Sequence, residues 1–400
     1  MESTVRVLLA AMASLAILGA NAQSKYDNGA SDTEIRLGHT SPQSGPASAW
    51  GGVGKAMSAY FKMVNEAGGI NGRKINLITY DDGYQPPRTV ELTRKAVESD
   101  QVLFMAGSMG TSPQLAVAPY LNQKKIPQLF LAAAASKLAD AKALPYTLIM
   151  ASTYESEGTG WAKHLRQSKP TAKVAVIYQD DDAGRAIVSG FKGGIAGSTV
   201  NVVSEQTYTV TDPTIDSQII AMKNSGADTV LLVTIPKMTA LSLRKIRAMS
   251  WDPTMYVSVG GSSPKSAFAP AGLESAKGAL MSTWRVAVGA KESEGLEDVK
   301  IYKAFMAKYL PGVDPTDDIY AIGYTSAAAT AEVIRLAGND LTRENIHKIA
   351  TNLKSVKLPL ALPGITVNTT PSDLRPIKQS QFFRFNGAEY EPVGKVESID

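Results

Sequence analysis

Few stretches of this sequence carry the residue types that do covalent chemistry, and each fails on spacing. Gly51-Gly52-Val53-Gly54-Lys55-Ala56 resembles a phosphate loop, but Ala49 stands where the first glycine belongs and Ala56 where a Mg²⁺-binding hydroxyl belongs. No G-x-G-x-x-G follows the first strand-like segment, and no G-x-S-x-G elbow occurs. Ser262-Ser263-Pro264-Lys265 fits a loose S-x-x-K pattern, yet its companion motifs are missing and Pro264 sits inside it. The three histidines, His39, His164 and His347, lie far apart, and none belongs to an H-E-x-x-H. The chain contains no cysteine, which excludes disulfides, thiolate-ligated zinc, iron–sulfur clusters and thiol catalysis. Asp180-Asp181-Asp182 lacks the spaced oxygens of a Ca²⁺ loop. It precedes a helical pattern, where acidic residues favour the N-terminal dipole. The expectation is a protein that is not an enzyme and uses no cofactor or metal.

The loops can bind where they cannot react. Gly107-Ser108-Met109-Gly110-Thr111-Ser112-Pro113 follows an apolar strand and opens a helix. Glycines let the backbone bend, Pro113 suits a first helical turn, and free N–H groups with hydroxyls there suit a carboxylate. Trp50 lies in the preceding strand–helix loop, where an indole offers area and a stacking face.

These loops hang on a regular alternation. Ile35–His39, Ile75–Tyr80, Val102–Ala106 and Pro127–Leu131 read as strands, and helical spacing covers Gly54–Asn65, Thr89–Ser99 and Pro113–Leu121. The rhythm restarts after Met150, with strands at Val174–Tyr178, Val200–Glu205, Val230–Val233 and Met255–Val259. Helices are expected between them, and again at Asp298–Tyr309, Tyr320–Leu336 and Arg343–Asn352. Near-continuous apolar strands belong to parallel sheets covered on both faces. The end alternates around Asn386-Gly387, the strongest hairpin signal in the chain. At 400 residues with 44% hydrophobic, the chain is too long for one core and supplies two. Its 41 basic and 37 acidic residues form no basic, aromatic-interleaved patch, so a nucleic-acid partner is not expected.

Residues 1–22 read as a signal peptide: Arg6, an apolar run Val7–Leu18, then Ala20-Asn21-Ala22 before Gln23. The run is shorter than the ~20 residues a membrane span needs. With no cysteine to lipidate, an unanchored protein exported to the periplasm is expected.

Together, Ser44-Gly45-Pro46 with Trp50-Gly51, Asn65–Arg73, Tyr80-Asp81-Asp82, Gly107–Tyr120, Asp180–Gly184 and Ser225–Asp228 resemble the periplasmic leucine/isoleucine/valine-type receptors of ABC transporters. That resemblance implies a type I periplasmic-binding-protein fold: α/β, two lobes each a mainly parallel sheet covered by helices, and three hinge crossings. The crossings are expected near Ala151–Thr153, Ser282–Trp284 and Leu360–Gly364. Lobe one would be 32–151 plus 284–361, and lobe two 152–283 plus 362–400. It implies a ligand closed between the lobes, membrane permease partners and a monomer.

Carried over by position, the ligand loops fall on Gly110, Thr111 and Ser112, then Ala133, Ala134 and Ser136, then Ala183, Ile235, Gly260 and Gly261, with Trp50 as a wall. Tyr84, Tyr154 and Tyr324 are further candidates. Aromatics usual in two loops are replaced by Ala183 and by Thr234-Ile235-Pro236. The loop after Val257, where an acid should meet a substrate ammonium, reads Ser258-Val259-Gly260-Gly261-Ser262-Ser263 and has no carboxylate. A buried unpaired ammonium costs several kcal/mol. These departures point to a larger organic carboxylate without an amine, aromatic and stacked on Trp50. The alternatives are a receptor for branched-chain or other hydrophobic amino acids, and a sensory ligand-binding module.

Overall fold

Two separate parallel sheets dominate the computed structural model, which describes residues 25–399. The expected signal peptide at 1–22 lies outside the described residues. In chain order the strands are β1 (Lys25–Tyr26), β2 (Glu34–Ser41), β3 (Lys74–Asp81), β4 (Phe104–Ala106), β5 (Gln128–Leu131) and β6 (Thr147–Ile149). Then come β7 (Lys173–Gln179), β8 (Asn201–Tyr208), β9 (Thr229–Val233), β10 (Thr254–Val257), β11 (Leu280–Thr283), β12 (Asp340–Leu341), β13 (Gln379–Phe385) and β14 (Tyr390–Ser398). The first sheet runs β3-β2-β4-β5-β6, with every pair parallel. The second runs β14-β13-β11-β10-β9-β7-β8 and is parallel except for β13 and β14.

The apolar strands explain the layers. β4, β5 and β9 are buried at every position, so helices must cover both faces. Helix Gly52–Glu66 packs on helix Asp318–Ala337 beside the first sheet, and Tyr154–Ser168 packs on Asp182–Ile195 beside the second. In that second pair a side chain at Gly158 would meet the Ile187 carbonyl oxygen at 2.1 Å, so only glycine permits the approach. Asn386 and Gly387 make the expected turn between β13 and β14, with Gly387 at φ 106° and the Asn386 carboxamide accepting from Ala388 and Glu389 N–H.

The chain passes between sheets after β6 and again after β11. The third passage differs from the expected 360–364. Val356 and Val367 bond reciprocally, Leu353 N donates to Thr369 Oγ1, and Thr369 Oγ1 donates to the Ala350 carbonyl. Residues 362–377 therefore stay with helix Arg343–Ala350, whose His347 is bonded to the Pro145 carbonyl of the first sheet's side. The crossing comes only before β13. Hydrogen bonds of an irregular loop decided this, and they leave no periodic trace in a sequence. Among the described residues no helix is long and apolar enough to cross a membrane.

Candidate functional site

The carboxyl ends of both sheets face a shared cleft, where open parallel sheets place their ligand loops. Its outer compartment holds about 510 Å³ of empty space. From the first lobe come Trp50, Tyr84, Met109, Gly110 and Thr111; from the second come Gln179, Ala183, Tyr208 and Ile235. Trp50 is held on the short turn Ser48–Gly51 and meets the second lobe directly: a side chain added at Gly260 would lie 2.8 Å from its indole.

Gly110 sits at φ 101° and starts helix Thr111–Gln123, which has no side-chain cap. Its first-turn N–H groups stay available for an anion. The Thr111 hydroxyl is buried beside the Tyr154 phenol but makes no hydrogen bond of normal geometry. Tyr154 opens helix Tyr154–Ser168, which Thr153 caps by accepting from Ser156 N.

One turn into that helix lies Glu157, buried to 7% exposure and lining the cleft. Its Oε1 accepts from Val259 N at 2.9 Å, and no hydrogen bond to its other oxygen occurs among the described residues. Burial pushes its pKa up from 4.5 to about 8, against a smaller opposing effect of the Val259 bond. A carboxyl, which the Gly260 loop itself lacks, therefore stands beside that loop on a neighbouring helix.

The lobes are closed on each other by polar contacts at the rim. Tyr84 O–H donates to Asp181 Oδ2 at 2.9 Å, and Ser112 O–H to Asp182 Oδ2 at 3.1 Å. Lys137 Nζ lies 3.4 Å from Asp182 Oδ1, and on another side Ser263 O–H donates to Asp317 at 3.0 Å. Asp181 also caps helix Asp182–Ile195 through Gly184 N and accepts from Gln179 Nε2. The acidic run is therefore both the helix cap expected for it and a tie across the cleft. Burial raises the Asp181 pKa despite these bonds.

Of the expected site residues, Trp50, Tyr84, Gly110, Thr111, Tyr154, Ala183, Ile235 and Gly260 converge on the outer compartment. Ala134 lines a second, hinge-side compartment. Five others do not face the outer space. Ser112 is spent on Asp182, and Ser136 is exposed and bonded to Glu155. Ala133 is buried in an apolar cluster behind the loop. Gly261 packs backbone to backbone, since a side chain there would meet the Thr234 carbonyl at 2.1 Å. Tyr324 sits in an aromatic core, its ring 5.1 Å from Tyr60 and 4.8 Å from Phe305. Ile322, two residues earlier on the same helix, is the one that reaches the hinge-side compartment. Sequence reasoning missed Glu157, Gln179 and Tyr208. The last two end β7 and β8, so a rule of reading the final strand residue as well as the loop would have found them.

The Trp50–Gly260 contact yields a first prediction. Gly260→Val should hold the lobes apart, because its side chain occupies the indole's place. Small-angle scattering is expected to show a larger radius of gyration that ligand no longer reduces; a wild-type profile would mean the contact is dispensable.

The candidate catalytic groups are dispersed. Ser262 O–H donates to the Val259 carbonyl, and Lys265 lies 3.8 Å from Asp314. His39 is bonded to the Ala106 carbonyl and His164 to the Tyr256 hydroxyl.

A family model described as "Periplasmic binding protein" matches residues 34–389. The Leu/Ile/Val-binding protein homolog 7 of Brucella abortus is 24% identical over 236 residues, covering 57% of this chain and 59% of that relative. A branched-chain amino acid ABC transporter protein from Thermus thermophilus, solved with bound valine, superposes with a TM-score of 0.85 at 20% identity, covering 92% of this chain and 97% of that one. A solute-binding protein from R. palustris in complex with benzoate superposes at 0.78 with 18% identity, covering 90% and 95%. These likenesses carry the fold, a two-lobed α/β architecture of mainly parallel sheets covered by helices. With the matched model spanning nearly all of the described residues, the chain belongs to the periplasmic binding protein family.

Proposed function

We propose that this chain is the extracytoplasmic solute receptor of an ABC importer, acting in the periplasm with membrane permease partners, and that its ligand is a hydrophobic α-amino acid. The observation that carries the ligand class is Glu157, a buried carboxyl with an unpaired oxygen, in the same compartment as the uncapped helix start at Thr111. Such a pair suits a zwitterion: the carboxylate at the helix N-terminus, the ammonium at the acid. No lysine or arginine lines the outer compartment, whereas Glu157 and the Asp181 loop border it. A ligand that is only an anion meets carboxyl groups without a compensating cation there.

This replaces the amine-free acid as the leading reading, because its premise was an ammonium left unpaired. One observation still favours the amine-free acid: at neutral pH a Glu157 with a pKa of about 8 is mostly protonated and can donate to a carboxylate. Matched pairs separate the two. Calorimetric titration with leucine against 4-methylpentanoate, and phenylalanine against 3-phenylpropanoate, is expected to show binding confined to the amine-bearing member of each pair. Tighter binding of the amine-free members would overturn the amino-acid reading.

A further inference from the structure

Two aspartates tie the lobes together, and each does so from the start of a helix. Asp181 caps helix Asp182–Ile195 of the second lobe and accepts the Tyr84 hydroxyl of the first. Asp317 caps helix Asp318–Ala337 of the first lobe, its Oδ1 accepting from Ile319 N at 3.4 Å. The same oxygen accepts the Ser263 hydroxyl of the second lobe at 3.0 Å and the Ser266 hydroxyl at 3.4 Å. Ser263 is itself a cap, since its Oγ accepts from Ser266 N at the start of the turn Pro264–Phe268. Here the lobes are joined cap to cap.

The two ties differ in where they stand. Tyr84 lines the outer ligand compartment, so its tie cannot be separated from ligand contact. Ser263, Ser266 and Asp317 line neither compartment of the cleft. Their chain neighbours Ser262, Pro264, Thr316 and Asp318 border a different space, of about 610 Å³. Both partners are nonetheless fixed to ligand-lining elements. Ser263 follows directly on the loop that carries Gly260, and Asp317 opens the helix whose Ile322 reaches the hinge-side compartment.

The bond is also the kind that should matter. Asp317 and Ser263 are both buried. Nearby charges are already answered, Asp318 by Arg285 at 2.5 Å and Asp314 by Lys265 at 3.8 Å. Asp317 by contrast is met by hydroxyl and backbone donors. A hydrogen bond to a carboxylate is stronger than one between neutral groups. A carboxyl already held by its own helix loses little further freedom when the other lobe engages it.

We propose that the Asp317–Ser263 bond is a latch that sets how readily the lobes close, acting on every ligand alike. It rests on the receptor reading, in which the closed form holds the ligand, and not on which ligand that is. Apparent affinity is reduced by the fraction of protein competent to hold the ligand, whatever its identity. Asp317 and Ser263 are therefore positioning residues, which change affinity without changing preference.

The test is calorimetric titration of wild type, Asp317→Ser, Ser263→Ala and the double variant with leucine, phenylalanine and 3-phenylpropanoate. Serine at 317 still caps the helix, but its oxygen stops one bond short of Ser263. Each single variant should weaken every ligand that binds by one common factor of about tenfold. The double variant should stay within about threefold of either single one, because the same bond is lost in all three. The chain has no cysteine, so spin labels at Lys55→Cys and Lys237→Cys, exposed positions on opposite lobes, report the distance between lobes without background. In ligand-free protein the ratio of closed to open distances should fall with each latch variant; a residue serving only its own helix would leave that ratio alone. Unchanged affinity, losses differing between ligands by more than about threefold, additive losses in the double variant, or an unchanged distance ratio would each overturn the latch. The ligand is judged separately. If 3-phenylpropanoate alone binds, the amino-acid reading fails and the latch is judged on that compound; if none of the three binds, the distance ratio decides it.

Discussion

Replacing Glu157 by glutamine is expected to weaken binding of a hydrophobic α-amino acid by about two to three orders of magnitude, the cost of removing one partner of a buried ion pair. The substitution is conservative where it must be. Glutamine keeps a carbonyl oxygen to accept from Val259 N, so the loop at Gly260 stays in place. Only the negative charge is lost, and a buried ammonium then has no counter-ion. Calorimetry reads the change directly, and an unchanged thermal transition of the ligand-free variant at low pH separates lost binding from lost folding. Retention of wild-type affinity within about threefold would exclude Glu157 as the ammonium's partner, since a buried pair cannot be broken that cheaply.

The second large effect is a proton. With its pKa raised to about 8, Glu157 holds a proton in roughly nine of ten molecules at pH 7 before ligand arrives. An ammonium beside it favours the ionised form, so binding expels that proton. Titrations in buffers of different ionisation enthalpy should report release of close to one proton at pH 7, and none in Glu157→Gln. Affinity should rise up to about tenfold per pH unit below pH 8 and level off above it. An amine-free carboxylate held by protonated Glu157 predicts affinity that is flat below pH 8 and falls above it. Flat affinity between pH 6 and 8 would refute the amino-acid version. The same titration acts on the free protein. A carboxyl whose folded pKa lies above its unfolded one adds stability below pH 4.5 that is lost as pH rises through about 8. The loss is on the order of 5 kcal/mol, and it should be absent from Glu157→Gln.

The sheets were legible in the sequence because burial on both faces writes itself as unbroken apolar runs. Val174–Tyr178 and Val230–Val233 are strands in the second sheet as read, and the Asn386-Gly387 turn closes its hairpin. β6 and β11 were not read, since Thr147–Ile149 and Leu280–Thr283 are short and mixed in character. The site was half legible. Loop positions such as Gly110 and Gly260 follow from which strand they end, and Trp50 follows from its loop. Glu157 was hidden for a different reason. In sequence it is one of several polar residues at the start of an amphipathic helix, alongside Glu155, which stays outside and binds Ser136. The tertiary packing of that helix, close against Asp182–Ile195 at Gly158, is what places Glu157 in the cleft, and the sequence alone carries no mark of it. Tyr324 erred the other way: its helix was placed correctly, but its rotation decides between core and cleft.

The hairpin of β13 and β14 has a consequence for how the chain is made. The first of these strands, β13, pairs with β11, which precedes it by about a hundred positions, and β14 pairs with β13. Until β13 has been made, β11 has no neighbour on one side, and an unpaired buried-type edge is a sticking point for other chains. The second lobe therefore cannot finish folding before Gln379–Ser398 has been made. A circular permutant that moves Gln379–Ser398 to an earlier position should complete that lobe sooner during synthesis.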